Sequence, residues 1–222
     1  MNEQTSSREP NAARAGLGKS GDAAASDGRR RILDAALEEF AIHGFIGASI
    51  RQIGRRAEAQ HQLIIHHFKN KETLWEAVVA EQLRETTEVY ERILAAEQEV
   101  GAAAALRLLL RELVNWAARK PAFHRVVAYE AQAGSPRLNW LIENYLKVLY
   151  ATASRLIENA QQEGAARPGE THQLFFAFMG IVSNRFQNPA AFRMLTGRDP
   201  SDPAEVDEAY RLACGFLGLS AE

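Results

Sequence analysis

The chain has a single cysteine, Cys214, among 222 residues. A lone thiol excludes an intramolecular disulfide and any cysteine-rich metal site. It falls on the apolar side of the last predicted helix and reads as a buried structural thiol. Long apolar runs are also missing, since none approaches the ~18–20 residues of a membrane-spanning helix. The N-terminus lacks the apolar stretch of a secretory signal, so the expected location is cytoplasmic, with no membrane partner. No segment alternates apolar and polar residues as a half-buried strand does, and no internal repeat is visible. These absences leave an all-α fold, and a hydrophobic content of 46% is enough to give it a sizeable core.

A strong net charge is absent as well, at −2. The distribution is uneven, however. Residues 29–71 carry eight Lys and Arg against four Asp and Glu, a local +4, and four of the six His. Residues 72–222 carry fifteen against twenty, a local −5. A basic head on an acidic body suits nucleic-acid binding by one domain only.

Within that basic head, residues 49–71 (SIRQIGRRAEAQHQLIIHHFKNK) predict two short helices around a tight turn. Ser49 with Gln52 three residues on forms a capping-box pattern, which starts a helix at Ile50. Ile50, Ile53 and Ala57 give it one apolar face, and Arg51, Gln52, Arg55 and Arg56 lie on the others. Residues 58–60 are too few for anything but a turn. A second helix spans 61–67, anchored by Ile64 and Phe68. A pair this short needs a third helix behind it, and a basic, polar second helix on such a tripod is the layout of helix-turn-helix DNA readers.

This stretch resembles the TetR family of bacterial transcriptional regulators. Residues 30–44 (RRILDAALEEFAIHG) are similar to the family's first helix, with Ile32, Ala36, Leu37 and Phe40 inward and Gly44-Phe45 closing it. Ser49, Ile50, Arg51, Ile53 and Ala57 match the second helix. Ile64, His66, His67, Phe68, Asn70, Lys71, Glu72 and Leu74 match the end of the recognition helix and the start of the fourth. Three positions depart from the pattern: Glu58 where a small turn residue is usual, Gln60 for the usual Ser or Thr, and Ile65 for an aromatic. The resemblance implies a homodimeric, ligand-responsive regulator, most often a repressor on palindromic operator DNA. It also implies that Arg51, His61 and Gln62 meet base edges. Ser49, Gln52, Arg55, His66, His67, Lys69 and Lys71 complete the DNA-binding set, mainly at phosphates.

Residues 1–28 are poor in large apolar side chains and predict a disordered tail. Gly18-Lys19-Ser20 is not a phosphate loop, because position 13 is Ala13 and no strand precedes it. The expected domains are therefore this tail, a DNA-binding head over 29–75 and a body over 76–222. In the body, helices are predicted over 71–96, 102–118, 121–133, 136–163, 170–187, 190–196 and 203–218, punctuated by Pro121, Gly134, Pro136, Gly164, Pro189 and Pro203.

Several polar and aromatic residues interrupt the apolar faces of the body. Asn115, Trp116, His124, Tyr129, Trp140, Asn144 and Tyr145, with Phe178, have the make-up of a small-molecule pocket. His124 and Glu130 alone do not make an enzyme, since no nucleophile or oxyanion device accompanies them. His61, His66 and His67 do not make a metal site, because adjacent helical side chains diverge by about 100°, and no cofactor is expected. The segment LFFAFMGIV is apolar on more than one face, which predicts burial all round or pairing with a second chain. Through the resemblance, Phe175, Phe178, Val182, Val206, Tyr210 and Phe216 are expected at a dimer interface. The competing reading is a constitutive helical DNA-binding factor without an effector pocket.

Overall fold

The computed structural model describes residues 17–220, and among them there are twelve α-helices, one π turn and no strand. The head comprises α1 (Leu17–Gly47), α2 (Ile50–Ala57), α3 (His61–Phe68) and α4 (Lys71–Leu83). The body comprises α5 (Thr86–Val100), α6 (Ala102–Arg119), α7 (Pro121–Ala133), α8 (Pro136–Leu141), the π turn Ile142–Leu146, α9 (Lys147–Gln162), α10 (Thr171–Gln187), α11 (Pro189–Thr196) and α12 (Pro203–Phe216). The all-α expectation holds. Proline opens α7, α8, α11 and α12 at the first turn, where its missing N–H costs nothing.

One predicted boundary is corrected. Helix α1 runs from Leu17, within the stretch expected as a tail to residue 28, and Asp27 pairs with Arg30 and Arg31 one turn on. The rest of that expected tail, residues 1–16, lies outside the described residues. The single long helix predicted over 71–96 is two helices, broken at Arg84-Glu85. Thr86 donates its hydroxyl to the Leu83 carbonyl at 2.6 Å, across the break. A straight helix fails here because its two halves serve different cores. Leu74, Trp75, Val78 and Val79 pack with α1, whereas Tyr90 and Ile93 pack in the body.

Those two cores define the architecture. The head core gathers Ile32, Phe40, Ile53, Ile64, Phe68, Leu74 and Trp75, but it is closed by Phe123, Val126 and Leu141 from the body. The body core is built on Leu106, Leu109, Leu110 and Leu113 of α6, packed against α5, α9, α10 and α12. A polar tie adds to it: the Glu163 carboxylate accepts the N–H groups of Ala102 and Ala103, at 2.9 and 3.2 Å, capping α6. Cys214 is buried, as read from the sequence.

Gly44 marks where the head meets the body. Its φ of 63° and ψ of 178° interrupt the helical backbone of α1, in a region that is essentially glycine-only. A Cβ there would lie 2.2 Å from the Tyr129 ring of α7. Gly44→Ala should therefore destabilise the chain by about 2 kcal/mol or more. In urea unfolding, the double variant Gly44→Ala with Tyr129→Ala should recover part of that loss, because one of the two penalties is removed.

Candidate nucleic-acid interface and body cavity

Helix α2 begins at Ile50 as predicted, but the Ser49–Gln52 capping box is not formed. The backbone N–H of Ser49 donates instead to the buried carboxylate of Glu39, at 3.3 Å. The Gln52 side chain is taken by the Arg55 guanidinium. A long-range partner thus replaces the local one. The capping box that does form is at Asn70 and Thr73, at the start of α4. Between α2 and α3 the chain turns tightly, with Ala59 N–H donating to Gly54 O at 2.9 Å. A Cβ on Gly54 would lie 2.9 Å from the Ala59 oxygen, so a small residue is required. Glu58 adopts the left-handed conformation, φ 51°, at the position where a small residue is usual.

Most of the predicted DNA-binding residues are solvent-facing. Arg51, Gln52, Arg55, His61, Gln62, His66 and Lys69 are exposed, and Ser49 and His67 are half-buried. Arg51 and Arg55 sit in two adjoining concavities, one shared with Gln60 and His61, the other with Ser49, Gln52 and His43. His66 and His67 stand edge to face, with ring centroids 5.5 Å apart. Lys71 is placed differently. Its ammonium donates to the carbonyls of Ile46 and Ala48, at 3.3 and 3.1 Å, and lies 4.6 Å from the Phe45 ring centroid. It holds the α1–α2 turn, so a phosphate would have to share it.

His43 and Leu63 were not singled out from sequence, and Ile65 was noted only as a departure from the family pattern. His43 has a helix-interior spacing that gave no signal. Leu63 and Ile65 of α3 look like core residues but are 41% and 38% exposed. Apolar side chains at such positions are suited to thymine methyl groups.

The candidate effector residues divide. Trp116 and Tyr145 line a cavity with Tyr90, Val89, Leu109 and Leu113, and Gln82, Glu85 and Thr86 of the α4–α5 break form part of its wall. About 60 Å³ of it is free. Tyr145 and Tyr90 share a hydrogen bond, and burial pushes the Tyr90 hydroxyl up to about 12 and Tyr145 well above its usual value. His124 stands behind Trp116, ring centroids 4.7 Å apart, with its Nε2 buried and unpartnered. The other candidates do not line this cavity. Trp140 packs edge to face on Trp75 in the head core, and exposed Asn144 donates to the Trp140 carbonyl. Tyr129 covers Gly44, Asn115 sits half-buried on α6, and Phe178 is fully buried elsewhere in the body core. Periodicity identified helix faces but could not separate an inward face that lines a cavity from one that meets a neighbouring helix.

The expected dimer residues are also redistributed. Phe175, Phe178, Val182 and Tyr210 are buried in this chain's own core, and Val206 packs against it. The row Leu174, Phe178, Val182 and Phe186 turns inward, so α10 is not buried all round. Its outward row, Phe176, Gly180 and Asn184, faces solvent, as do Leu212 and Gly215 of α12. Gly180 and Gly215 share an open groove of about 580 Å³ with Ile181, Leu212, Phe192 and Phe216.

An exposed basic helix pair on a three-helix tripod, carried by a larger helical body, defines a helix-turn-helix transcriptional regulator. The chain belongs to the TetR family: the family model described as bacterial regulatory proteins, tetR family, matches residues 32–78, and the one described as tetracyclin repressor-like, C-terminal domain, matches residues 103–216. The HTH-type transcriptional regulator RutR of Escherichia coli K12 is 29% identical over 154 residues, 69% of this chain and 71% of RutR. A putative fatty acid metabolism regulator of Clostridium perfringens aligns at a TM-score of 0.67 and 18% identity, over 86% of this chain and 100% of that one. The transcriptional regulator FadR of Bacillus subtilis, solved in complex with stearoyl-CoA, aligns at 0.59 and 18%, over 86% and 99%. Among the described residues, no helix is long and apolar enough to cross a membrane.

His124 provides a check on the body's packing. Burial lowers its pKa to about 4, below the ordinary value of about 6.5. The folded state therefore holds it neutral, while the unfolded chain takes up a proton as pH falls. Its contribution is intact above about pH 6.5 and is lost progressively down to about pH 4, by about 3 kcal/mol in all. Urea unfolding of the wild type and His124→Leu at pH 7 and pH 4.5 should show the smaller acid loss in the variant.

Proposed function

We propose that the chain is a homodimeric repressor that binds a palindromic operator and is released by a small molecule lodged in the body. The observation that carries this reading is the position of the cavity. Its wall includes Gln82, Glu85 and Thr86, where the helix that starts in the head bends into the body. Anything that fills the cavity bears on that bend, and α4 begins beside the recognition helix. Arg51, His61 and Gln62 are assigned to base edges, and Ser49, Arg55, His66, His67 and Lys69 to phosphates. Gln52 holds Arg55 in place, and Lys71 fixes the α1–α2 turn.

The effector is compact or opens its own site. A free volume of about 60 Å³ is far below the roughly 300–1,000 Å³ of ordinary ligand pockets. A long acyl chain, as on the stearoyl-CoA bound to FadR, would need α5 and α6 to part. The walls, Trp116, Tyr90 and Tyr145, favour a partly apolar, aromatic molecule with one hydrogen-bonding group. The test is a titration of candidate ligands against a preformed complex with operator DNA selected by the protein. By linkage, operator must weaken ligand binding by the same factor, typically about 5- to 150-fold. Tyr145→Phe and Trp116→Ala should lose the response while keeping operator affinity. Ligands that occupy the body without changing operator affinity would favour the constitutive DNA-binding reading.

The dimer is assigned to the outward faces of α10 and α12. Gly180 lies mid-helix, where glycine costs about 1 kcal/mol relative to alanine, Gly215 lies in the last turn of α12, and a Cβ at either meets nothing within this chain. The close approach they permit is toward another molecule. Phe176, 71% exposed, and Leu212, 46% exposed, flank them. Phe176→Glu and Leu212→Glu should sediment as folded monomers at micromolar concentration, while Phe178→Glu should unfold. A wild type that sediments as a monomer overturns the assignment.

Binding to DNA should weaken with salt as counterions are released. Arg55→Ala should lower the salt slope by about one unit without changing sequence preference. Gln62→Ala should instead relax the choice at one base pair per half-site, by about 1–3 kcal/mol. Fluorescence anisotropy across a salt series separates the two, and exchanged phenotypes would reverse the assignments.

A further inference from the structure

Where α7 turns into α8, one side chain reaches from the body into the head. Arg137 is 12% exposed and its Nε donates to the Glu130 carboxylate at 3.1 Å, a group that is itself 1% exposed. One terminal nitrogen lies 3.5 Å from the Glu72 carboxylate, in the first turn of α4. Its guanidinium carbon stands 3.7 Å from the centroid of the Phe45 ring, at the end of α1. Lys71 approaches the same ring and also holds the carbonyls of Ile46 and Ala48. Ser135, the N-cap of α8, donates its hydroxyl to Glu130. The contacts thus run from Ser135 and Glu130 in the body, through Arg137, to the two ends that frame α2 and α3. None of these contacts involves α2 or α3 themselves.

We propose that Arg137 is the positioning residue that fixes the angle of the DNA-binding head on the body, so that displacements of α7 and α8 reach the recognition helix through it. The planar guanidinium is suited to this, since it satisfies two carboxylates and stacks on an aromatic face at once. Its partner Glu130 is almost fully buried, and a buried carboxylate left without its cation is strongly unfavourable. The contact is therefore held in one geometry. Alongside it, Arg125 of α7 pairs with Glu38 of α1 at 3.7 Å, and Tyr129 covers Gly44. Those contacts join α7 to α1. Arg137 also reaches the first turn of α4, whereas Lys120, at the start of α7, donates to the Gln82 carbonyl near the other end of α4, at 3.2 Å.

In a dimer on a two-part operator, which this inference takes from the proposed function, a fixed head angle means a fixed distance between the recognition helices. The test reads that distance. Wild-type protein selects an operator from a random-sequence duplex pool, and duplexes are then made with one or two base pairs inserted at the centre. The full-length wild type should discriminate sharply against the insertions. Arg137→Met should lower that discrimination by roughly tenfold, within the range of couplings between sites. Its salt slope should stay unchanged, because no phosphate contact is lost. Arg137→Lys should fall between the two. Glu72→Gln removes only the half-exposed partner, and should act in the same direction if Arg137→Met does not fold. Spacing discrimination at the wild-type level in Glu72→Gln, and in Arg137→Met where it folds, overturns the inference and leaves the regulator reading intact. Selection by the wild type of a site without two halves overturns both.

Discussion

The head of this protein does not close its own core. Phe123, Val126 and Leu141 belong to α7 and α8, yet they pack with Ile32, Phe40, Leu74 and Trp75 rather than with the body's leucine core. A helix tripod of this size buries too little apolar surface to be stable alone, and the borrowed side chains make up the difference. The consequence is mechanical. Interiors packed at crystal-like density do not deform continuously, so the head must move with α7 and α8 or lose part of its core. The ion pairs at Arg137 and Arg125 add orientation to what the apolar contact supplies in stability.

The same constraint explains the break between α4 and α5. One uninterrupted helix would carry a single apolar stripe, but Val78 and Val79 must face α1 while Tyr90 and Ile93 face α6. The chain resolves this with two residues at Arg84-Glu85, and the cavity lies beside them. Free volume gathers where two well-packed units meet, because neither unit dictates the side chains at the seam. Trp116 illustrates this, since it touches both cores and is fully claimed by neither.

Most helices were legible in the sequence because their signals are local. Proline at first turns, glycine after last turns and apolar spacing placed α6, α7, α10 and α12 within a few residues. In the stretch from Ser49 to Lys71, Arg51, Arg55, His61 and Gln62 are all exposed. The failures share a cause, which is competition from distant partners. Glu39, ten residues earlier, took the N–H that Gln52 was expected to cap. Phe178, expected at a dimer interface, was claimed by the body core. Asn144 and Tyr129 looked like pocket residues because polar groups on an apolar face carry no label saying which neighbour they meet. α10 was the hardest case: LFFAFMGIV has apolar residues at nearly every position, so only packing shows that Phe176 and Gly180 are the outward row.

In the proposed regulator, the smallness of the cavity has a thermodynamic consequence. With about 60 Å³ free, the conformation described here has room for a compact effector only. A larger effector requires a second form, with α5 and α6 parted at the break. An effector's apparent affinity is reduced by the fraction of chains in that state, so its intrinsic contacts must be tighter than the measured constant suggests. The same penalty is what makes the switch work. A ligand that bound both forms with equal affinity would shift no equilibrium. In the proposed switch, a ligand among Trp116, Tyr90 and Tyr145 would act on the α4–α5 break, and the head, sharing its core with α7 and α8, would move with them.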